Sequence, residues 1–387
     1  MEYRHSWSTL GFGCMRFPRV GNGFDMDEIR REIKYAYENG VNYYDTAYIY
    51  PGSEEVLGTV VNELGIRSDI TIATKLPHYM MKTIDETEKH FSEQLKRLKT
   101  DYVDNLLMHM LPDVDTWNQL IDRGVLDWLK EKKDAGKIRK VGFSYHGNSS
   151  TFVELLNAYD WDFCQIQYNY MDEHSQAGRI GLNAAYEKNI PVIIMEPLRG
   201  GKLADKMPDA AVKVFKKVHP EWSLAEWSFR WLYNQPGVTT VLSGMNSMEM
   251  LSENIKVAGS CSVGSLSDSD IQAYSDAIAA IAGGTTVPCT GCSYCMPCPA
   301  GVDIPGCFSS LNDIKINGYF NGFKAYFMCT ALKKKPAYAS ICKECGLCES
   351  KCPQHIAIRD ELKKVKRKFD NPVFFIGKFF AKLFKFM

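Results

Sequence analysis

The chain has 387 residues, 45% of them hydrophobic, enough for one large globular domain and a smaller one. Lys+Arg and Asp+Glu each number 46, so the formal net charge is zero and no global field draws the protein to nucleic acid. Met1 to Leu10 has no apolar run behind a basic start, and nowhere do 18 uncharged apolar residues follow one another, so the expectation is a cytoplasmic protein without nucleic-acid partners.

Up to about residue 260, short apolar, β-branched segments alternate with longer amphipathic ones, the signature of β/α units and a parallel sheet. Strands are predicted near Leu10–Met15, Asn42–Asp45, Ile70–Lys75, Val103–His109, Lys140–Ser144, Phe163–Gln167, Val192–Met195 and Val238–Ser243. Helical patterns run between them, including Asp27–Asn39, Thr83–Leu98, Trp117–Ala135 and Ser247–Val257. Eight such units fit a closed (β/α)8 TIM barrel better than an open doubly wound sheet. No Gly-x-Gly-x-x-Gly follows an early strand, and Gly11 with Gly13 is too little to count as one.

A helix over Ser267–Ala282 ends at Gly283 and Gly284, and the loop to Pro288 leads into a cysteine-rich region. Cys289, Cys292, Cys295 and Cys298 form a run closed by Pro299, and Cys342, Cys345, Cys348 and Cys352 form a second run closed by Pro353. The second has the spacing in which three close thiolates hold one cubane and the fourth ligates a neighbouring cluster. Two 4Fe-4S clusters with crossed ligation follow: Cys289, Cys292, Cys295 and Cys352 on one, Cys342, Cys345, Cys348 and Cys298 on the other. The first run is one residue shorter before its last cysteine, so Cys298 rests on a less regular spacing. Zinc is the rival metal, but it takes paired Cys-x-x-Cys units around a single ion and leaves a third cysteine surplus. Disulfides belong to small secreted scaffolds rather than to a chain of this length. Cys14, Cys164, Cys261, Cys307 and Cys329 lie outside both runs and read as small buried hydrophobes.

The fold class expected is therefore α/β, a TIM barrel followed by a small, mainly helical dicluster ferredoxin-like domain. The expected boundaries are 1–265 for the barrel, 266–285 for a connecting helix and linker, 286–358 for the cluster domain and 359–387 for a basic tail. That tail holds nine Lys/Arg against three acids. Beyond Pro372 it reads as an amphipathic helix, with Lys378, Lys382 and Lys385 on one face and Phe375, Phe379, Leu383 and Phe386 on the other. Docking of this helix, on the protein itself or on a partner, is expected ahead of weak attachment to a membrane. Exposed clusters are vulnerable to oxygen, which suits an anaerobic or microaerobic cell.

In such a barrel, active residues sit at the C-terminal ends of strands. Asp45 ends the second predicted strand, Tyr50 follows five residues later, Lys75 ends the third and His109 ends the fourth. Singly these residues read as a cap, a core tyrosine, a solvated lysine and a satisfied histidine; together they fit carbonyl chemistry. A ketone accepting hydride develops an alkoxide, which needs a proton donor and groups that stabilise the charge. Tyr50 would be the donor. An ammonium at about 4 Å favours its phenolate by roughly 4 kcal/mol at an effective dielectric near 20, and Lys75 would supply that field. Asp45 would orient Lys75, and His109 would position the carbonyl.

On these residues the chain resembles an aldo-keto reductase of the branch carrying a ferredoxin-type extension. The likeness lies in Leu10-Gly-Phe-Gly-Cys-Met15, Asp45-Thr-Ala-Tyr-Ile-Tyr50, Gly52-Ser-Glu-Glu-Val-Leu-Gly58, Leu106-Leu-Met-His109, Val141-Gly-Phe-Ser144 and Leu251-Ser-Glu-Asn254. It spans the barrel and implies the tetrad Asp45, Tyr50, Lys75 and His109. It also implies a nicotinamide cofactor across the barrel mouth, NAD(P)H, with Ser144 and Gln165 on the carboxamide and Glu253 and Asn254 near the adenine. Met195 stands where the family commonly places an aromatic ring, with barrel packing as the alternative reading. Gly244 and Met250 stand where many members hold a 2′-phosphate with Lys and Arg. Arg199 and Lys202 are alternative phosphate ligands, and a flavin in the same cleft stays open.

Hydride transfer moves two electrons and a cubane passes one, so a flavin or a ferredoxin- or flavodoxin-type redox partner is needed to reconcile the counts. The leading expectation is an oxidoreductase reducing a small carbonyl or related substrate, with the clusters relaying electrons. Structural or oxygen-sensing clusters, and a non-catalytic electron carrier, are the alternatives.

Overall fold

A computed structural model describes residues 7–282, 286–289, 291, 293–333, 335–352 and 354–383. Eight parallel strands close a barrel in chain order: β1 (Leu10–Gly13), then, after a small hairpin, β4 (Tyr43–Asp45), β5 (Thr71–Leu76), β6 (Val103–Met108), β7 (Ile138–Tyr145), β8 (Phe163–Gln167), β9 (Val192–Met195) and β10 (Val238–Ser243), which returns to β1. The strands foreseen from apolar periodicity are these eight. The ladder outlasts β6 by one residue, since the His109 amide donates to the Leu76 carbonyl at 2.9 Å.

The intervening hairpin, β2 (Arg19–Val20) with β3 (Gly23–Phe24), escapes sequence periodicity because two-residue strands have no period. It turns at Gly21, whose φ of 56° suits the first position of a tight hairpin loop. The predicted helix Trp117–Ala135 is two, Val114–Asp122 and Val125–Asp134, broken where Gly124 takes a φ of 91°. Helix starts carry side-chain caps: Asp25, Thr83, Asp113, Asn148, Ser223 and Ser247 each accept a backbone N–H of the following turn.

Inside the barrel, Tyr43, Ala73, Leu107, Phe163, Ile193 and Leu242 form a small core. Trp7 closes it from below, its ring 5.3 Å from Tyr43 and 5.6 Å from Phe163. A larger apolar layer lies between strands and helices. The helix Asp268–Ala282 belongs to that layer, with Tyr274 buried and its hydroxyl donating to the Trp227 carbonyl at 2.7 Å.

The C-terminal region is helical, with long helices at Ile304–Asn317, Tyr319–Thr330, Ile358–Phe369 and Pro372–Leu383. Its own core gathers Val302, Ile304, Phe308, Tyr326, Leu362, Val365, Phe369 and Phe374. The first two helices press together at Gly322, where a Cβ would stand 2.7 Å from the Ser310 carbonyl oxygen. This region sits on the loops that follow β7, β8 and β9. Asn148 Nδ2 donates to Asp303 at 3.2 Å, the Ser175 and Ser309 hydroxyls meet at 2.6 Å, and Arg199 reaches Asp313 at 3.1 Å.

The last helix does dock on the chain itself, but not through the face the sequence suggested. Phe374 and Ala381 are buried, while Phe375, Phe379 and Leu383 are exposed. Lys385 and Phe386 lie outside the described residues.

Candidate active site and cysteine-lined cavities

The C-terminal ends of β4, β5 and β6 deliver Asp45, Lys75 and His109 to one place. Lys75 Nζ is 2.5 Å from Asp45 Oδ1 and donates to the Thr46 carbonyl at 2.7 Å, with both charged side chains almost fully buried. Tyr50 stands on the turn after β4, half-buried, with Lys75 Nζ 5.2 Å from its ring centre. The His109 ring meets Tyr50 edge-on at 6.1 Å.

Local contacts fix that turn. The Thr46 and Ser53 hydroxyls share a 2.8 Å hydrogen bond, and Ser53 Oγ donates to the Cys14 carbonyl at 2.9 Å. Gly52 combines a φ of 75° with close packing, since a Cβ there would lie 2.6 Å from the Phe24 ring. The β2–β3 hairpin thereby braces the segment bearing Tyr50.

Burial governs the protonation states. It would lower the Lys75 ammonium, but Asp45 outweighs it and holds Lys75 above the usual lysine range, so the lysine stays charged. Burial pushes the Tyr50 phenol up, and the opposing pull of Lys75 does not cancel this. The Coulomb attraction expected from Lys75 is present at Tyr50, but desolvation is larger. His109 is held well below the usual histidine range by burial and by Lys75, so its ring is neutral. Its Nδ1 has no hydrogen-bond partner among the described residues.

Sequence reasoning passed over several neighbours. Glu196, directly after β9 with a φ of 54°, acts electrostatically on Tyr50 and on His146. Its place beside Met195 at a strand end was the available signal. His146, just past β7, begins a hydrogen-bonded chain in which its Nδ1 meets Gln176 Oε1 at 3.2 Å and Gln176 donates to Gln167 at 2.6 Å. Gln167 donates to Asp172 at 3.0 Å, and Asp172 takes a two-pronged contact from Arg199 at 2.6 and 2.8 Å. Arg199 then pairs with Asp313 on the first helix of the C-terminal region. Burial opposes ionisation of Asp172, but Arg199, Asn169 and Gln167 outweigh it and hold the carboxyl below its usual range. Arg199 engages this network through Nε and Nη2, while its Nη1 is buried without a hydrogen-bond partner among the described residues. Lys202 is exposed to its influence, its ammonium lowered by partial burial.

Ser144 and Met195 lie at the C-terminal ends of β7 and β9, and Gln165, in the middle of β8, pairs with Ser144 in the ladder. Ser144 Oγ accepts the Met110 amide at 2.8 Å, and Gln165 Oε1 is buried without a hydrogen-bond partner among the described residues. Met195 is half-buried over the inner barrel core. Asn254 is buried and donates to Ser243 Oγ at 3.1 Å, with Glu253 half-buried beside it. Gly244 faces the Arg16 side chain, whose Nη1 donates to the Gly200 carbonyl at 3.2 Å.

In the C-terminal region two small cavities are lined by cysteines. Cys289, Cys295 and Cys352 line one, with Ile304, Phe308 and Ile356. Cys298, Cys342, Cys345 and Cys348 line the other. Cys292 falls outside the described residues. The last cysteine of each run therefore sits in the other run's cavity. Both runs repeat one local contact: the Gly291 amide donates to Cys289 Sγ and the Glu344 amide to Cys342 Sγ, each at 3.4 Å. The first loop abuts the barrel, since a Cβ on Gly291 would stand 2.4 Å from His174 Cβ.

A model of the aldo/keto reductase family matches residues 9–279, and a model of a 4Fe-4S dicluster domain matches 288–358. An uncharacterized oxidoreductase of Bacillus subtilis is 27% identical over 286 residues, covering 65% of this chain and 87% of that protein. A probable voltage-gated potassium channel subunit beta of Arabidopsis thaliana is 26% identical over 298 residues, covering 64% and 87%. Among solved structures, an aldo-keto reductase from Bacillus halodurans in its holo form aligns with a TM-score of 0.57 at 24% identity, covering 70% of this chain and 91% of that one.

Proposed function

Since the chain belongs to the aldo/keto reductase family and carries a 4Fe-4S dicluster domain, we propose that this oxidoreductase reduces a small carbonyl substrate at the mouth of its barrel, with Tyr50 as the proton donor. The observation that carries the reading is the buried Lys75–Asp45 pair beside Tyr50 and His109. Reduction adds a hydride to the carbonyl carbon and a proton to its oxygen. Burial keeps Tyr50 protonated until the alkoxide forms. Once the proton leaves, the ammonium 5.2 Å from the ring centre stabilises the phenolate by about 3 kcal/mol at an effective dielectric near 20. Asp45 holds that ammonium charged and aimed. The neutral His109 ring offers the substrate oxygen a hydrogen bond without competing as an acid.

A nicotinamide, NADH or NADPH, would supply the hydride when bound, and a flavin could interconvert hydride and single electrons. The side chains suit a carboxamide: Gln165 Oε1 is a buried acceptor awaiting a donor, and the Ser144 hydroxyl keeps its own proton to give. Asn254 and Glu253 would border the adenine, Met195 would back the ring, and Gly244 lies against the Arg16 side chain on the same side of the barrel mouth.

Cys289, Cys292, Cys295 and Cys352 would hold one cluster and Cys342, Cys345, Cys348 and Cys298 the other, a pairing supported by the two cavities. Contact between the first cysteine loop and His174 favours a relay of electrons from a ferredoxin- or flavodoxin-type partner towards the barrel. A second reading, clusters that only hold their domain together, is favoured by the small core of that domain.

The anaerobically purified Tyr50→Phe protein should lose 10²- to 10⁴-fold in kcat for carbonyl reduction while binding nicotinamide as before. Undiminished turnover would remove Tyr50 from its role. Replacing Cys345 with Ser should abolish turnover driven by a one-electron donor while hydrogen exchange in the barrel stays unchanged. Equal rates would leave the clusters a structural part.

A further inference from the structure

The last helix of the chain, Pro372–Leu383, has two apolar faces, and the domain covers one of them. Phe374 is fully buried against Tyr326 at 5.3 Å and Phe327 at 5.7 Å, and a Cβ on Gly377 would stand 3.1 Å from the Phe327 ring. On the other side Val373 is 66% exposed, Ile376 56%, Phe379 63% and Leu383 60%. Their spacing of three and four residues places them on one stripe roughly 120° wide. Such a row of large apolar side chains in water marks an interaction surface.

The surroundings of the stripe are basic. Lys366, Arg367 and Lys368 end the preceding helix exposed, Lys382 is exposed on the last helix, and that helix contains no acidic residue. None of these four cations is ion-paired among the described residues, whereas Lys363 and Lys364, one turn earlier, are. Tyr319 ties the parts together, since its hydroxyl donates to the Lys368 carbonyl and accepts from Asn371 at the foot of the last helix. Next to it Phe320 is 77% exposed.

We propose that this face docks on an anionic lipid surface, with Pro372–Leu383 lying in the plane of the membrane interface and the lysines and arginine against acidic headgroups. A helix with an apolar stripe and basic flanks has the chemistry of an interfacial anchor. No helix among the described residues is long and apolar enough to cross a membrane, so the attachment is peripheral. A second copy of the chain fits less well. Two copies would bring like-charged basic flanks together, and lysine is depleted from such interfaces, whereas an acidic headgroup layer complements both the stripe and its cations.

The test is co-sedimentation of the full, cluster-loaded protein with vesicles of phosphatidylcholine alone or with a third of phosphatidylserine. Binding should be at least tenfold stronger to the anionic vesicles and should fade at high salt. It should drop tenfold or more in an Ile376→Glu/Phe379→Glu variant whose cluster absorbance is unchanged. An Arg367→Glu/Lys382→Glu variant should lose only the preference for anionic lipid. Absence of vesicle binding, binding indifferent to Ile376 and Phe379, or binding equally strong to neutral vesicles would each overturn the proposal. So would a dimer in lipid-free solution that the Ile376→Glu/Phe379→Glu change dissolves, since the face would then belong to a second copy.

Discussion

The barrel and the cysteine region hold their reactive side chains by different means. In the barrel, Asp45, Lys75 and His109 sit on adjacent strands of a closed sheet, over an inner core plugged by Trp7 and within a thick apolar layer. The sheet register alone fixes their separations. The cysteines instead stand on loops studded with left-handed residues, Gly291, Ser293, Glu344 and Gly346, and most are only half-buried. Their core is small, and the local bonds on the sulfurs are a few backbone N–H contacts. A site built on strands is thus preorganised by the fold, while one built on such loops depends on what its thiolates bind.

The strongest challenge to that contrast is removal of iron. Anaerobic chelation should cost the C-terminal region stability on the order of 10 kcal/mol, the scale of structural metal sites, and leave the barrel folded. Hydrogen exchange followed by peptide mass analysis should show protection collapsing over 288–358 and persisting over 9–279. Retained protection in the iron-free region would mean that its small core suffices, and the contrast would fail.

The same contrast explains what was legible in the sequence. The eight strands declare themselves because period and composition are local properties, as are the spacings of the two cysteine runs. Gly124 looks like any other helix residue until its positive φ splits the predicted helix in two. The Lys75–Tyr50 attraction could be foreseen from their places at strand ends, but the larger desolvation of Tyr50 depends on a burial that only three dimensions supply. Arg199 read as a loop cation open to phosphate, and its commitment to Asp172 and Asp313 is a long-range contact with no local signature. The covered face of the last helix was misjudged for the same reason: two apolar stripes flank the lysines, and the chain does not say which meets Tyr326 and Phe327.

Arg199 is where the two regions are joined, so it can sharpen the comparison. Its side chain is 12% exposed, with Asp172 at 3% and Asp313 at 11%. Arg199→Met would leave two buried carboxylates facing each other, a loss of about 3–5 kcal/mol. The loss should appear in the docking of the two regions, as new exchange in 172–176 and 303–313 together. An Asp172→Asn change made alongside should recover part of it, because one uncompensated charge is removed. Confinement of the loss to one region would show that the network braces a loop instead of coupling the halves.

A smaller effect separates the barrel from that junction by pH. His78, just past β5, is 4% exposed, and burial pushes its ring down to about 4. The unfolded chain titrates this histidine near 6.5, so between those values the unfolded state binds more protons and stability rises with pH. The stabilisation is complete above about pH 6.5 and is lost progressively on acidification, by about 2 kcal/mol between pH 7 and pH 5. The Asp172 carboxyl, held below its ordinary value, keeps its own contribution above about pH 3.9 and adds nothing to the pH slope over the same interval. Urea unfolding of the barrel, compared between the native protein and His78→Gln at both pH values, isolates this share from the other buried histidines. Equal pH slopes for the two proteins would show that His78 takes up its proton in the folded barrel, which requires a ring far less sealed from water than the closed sheet and the loop after β5 make it.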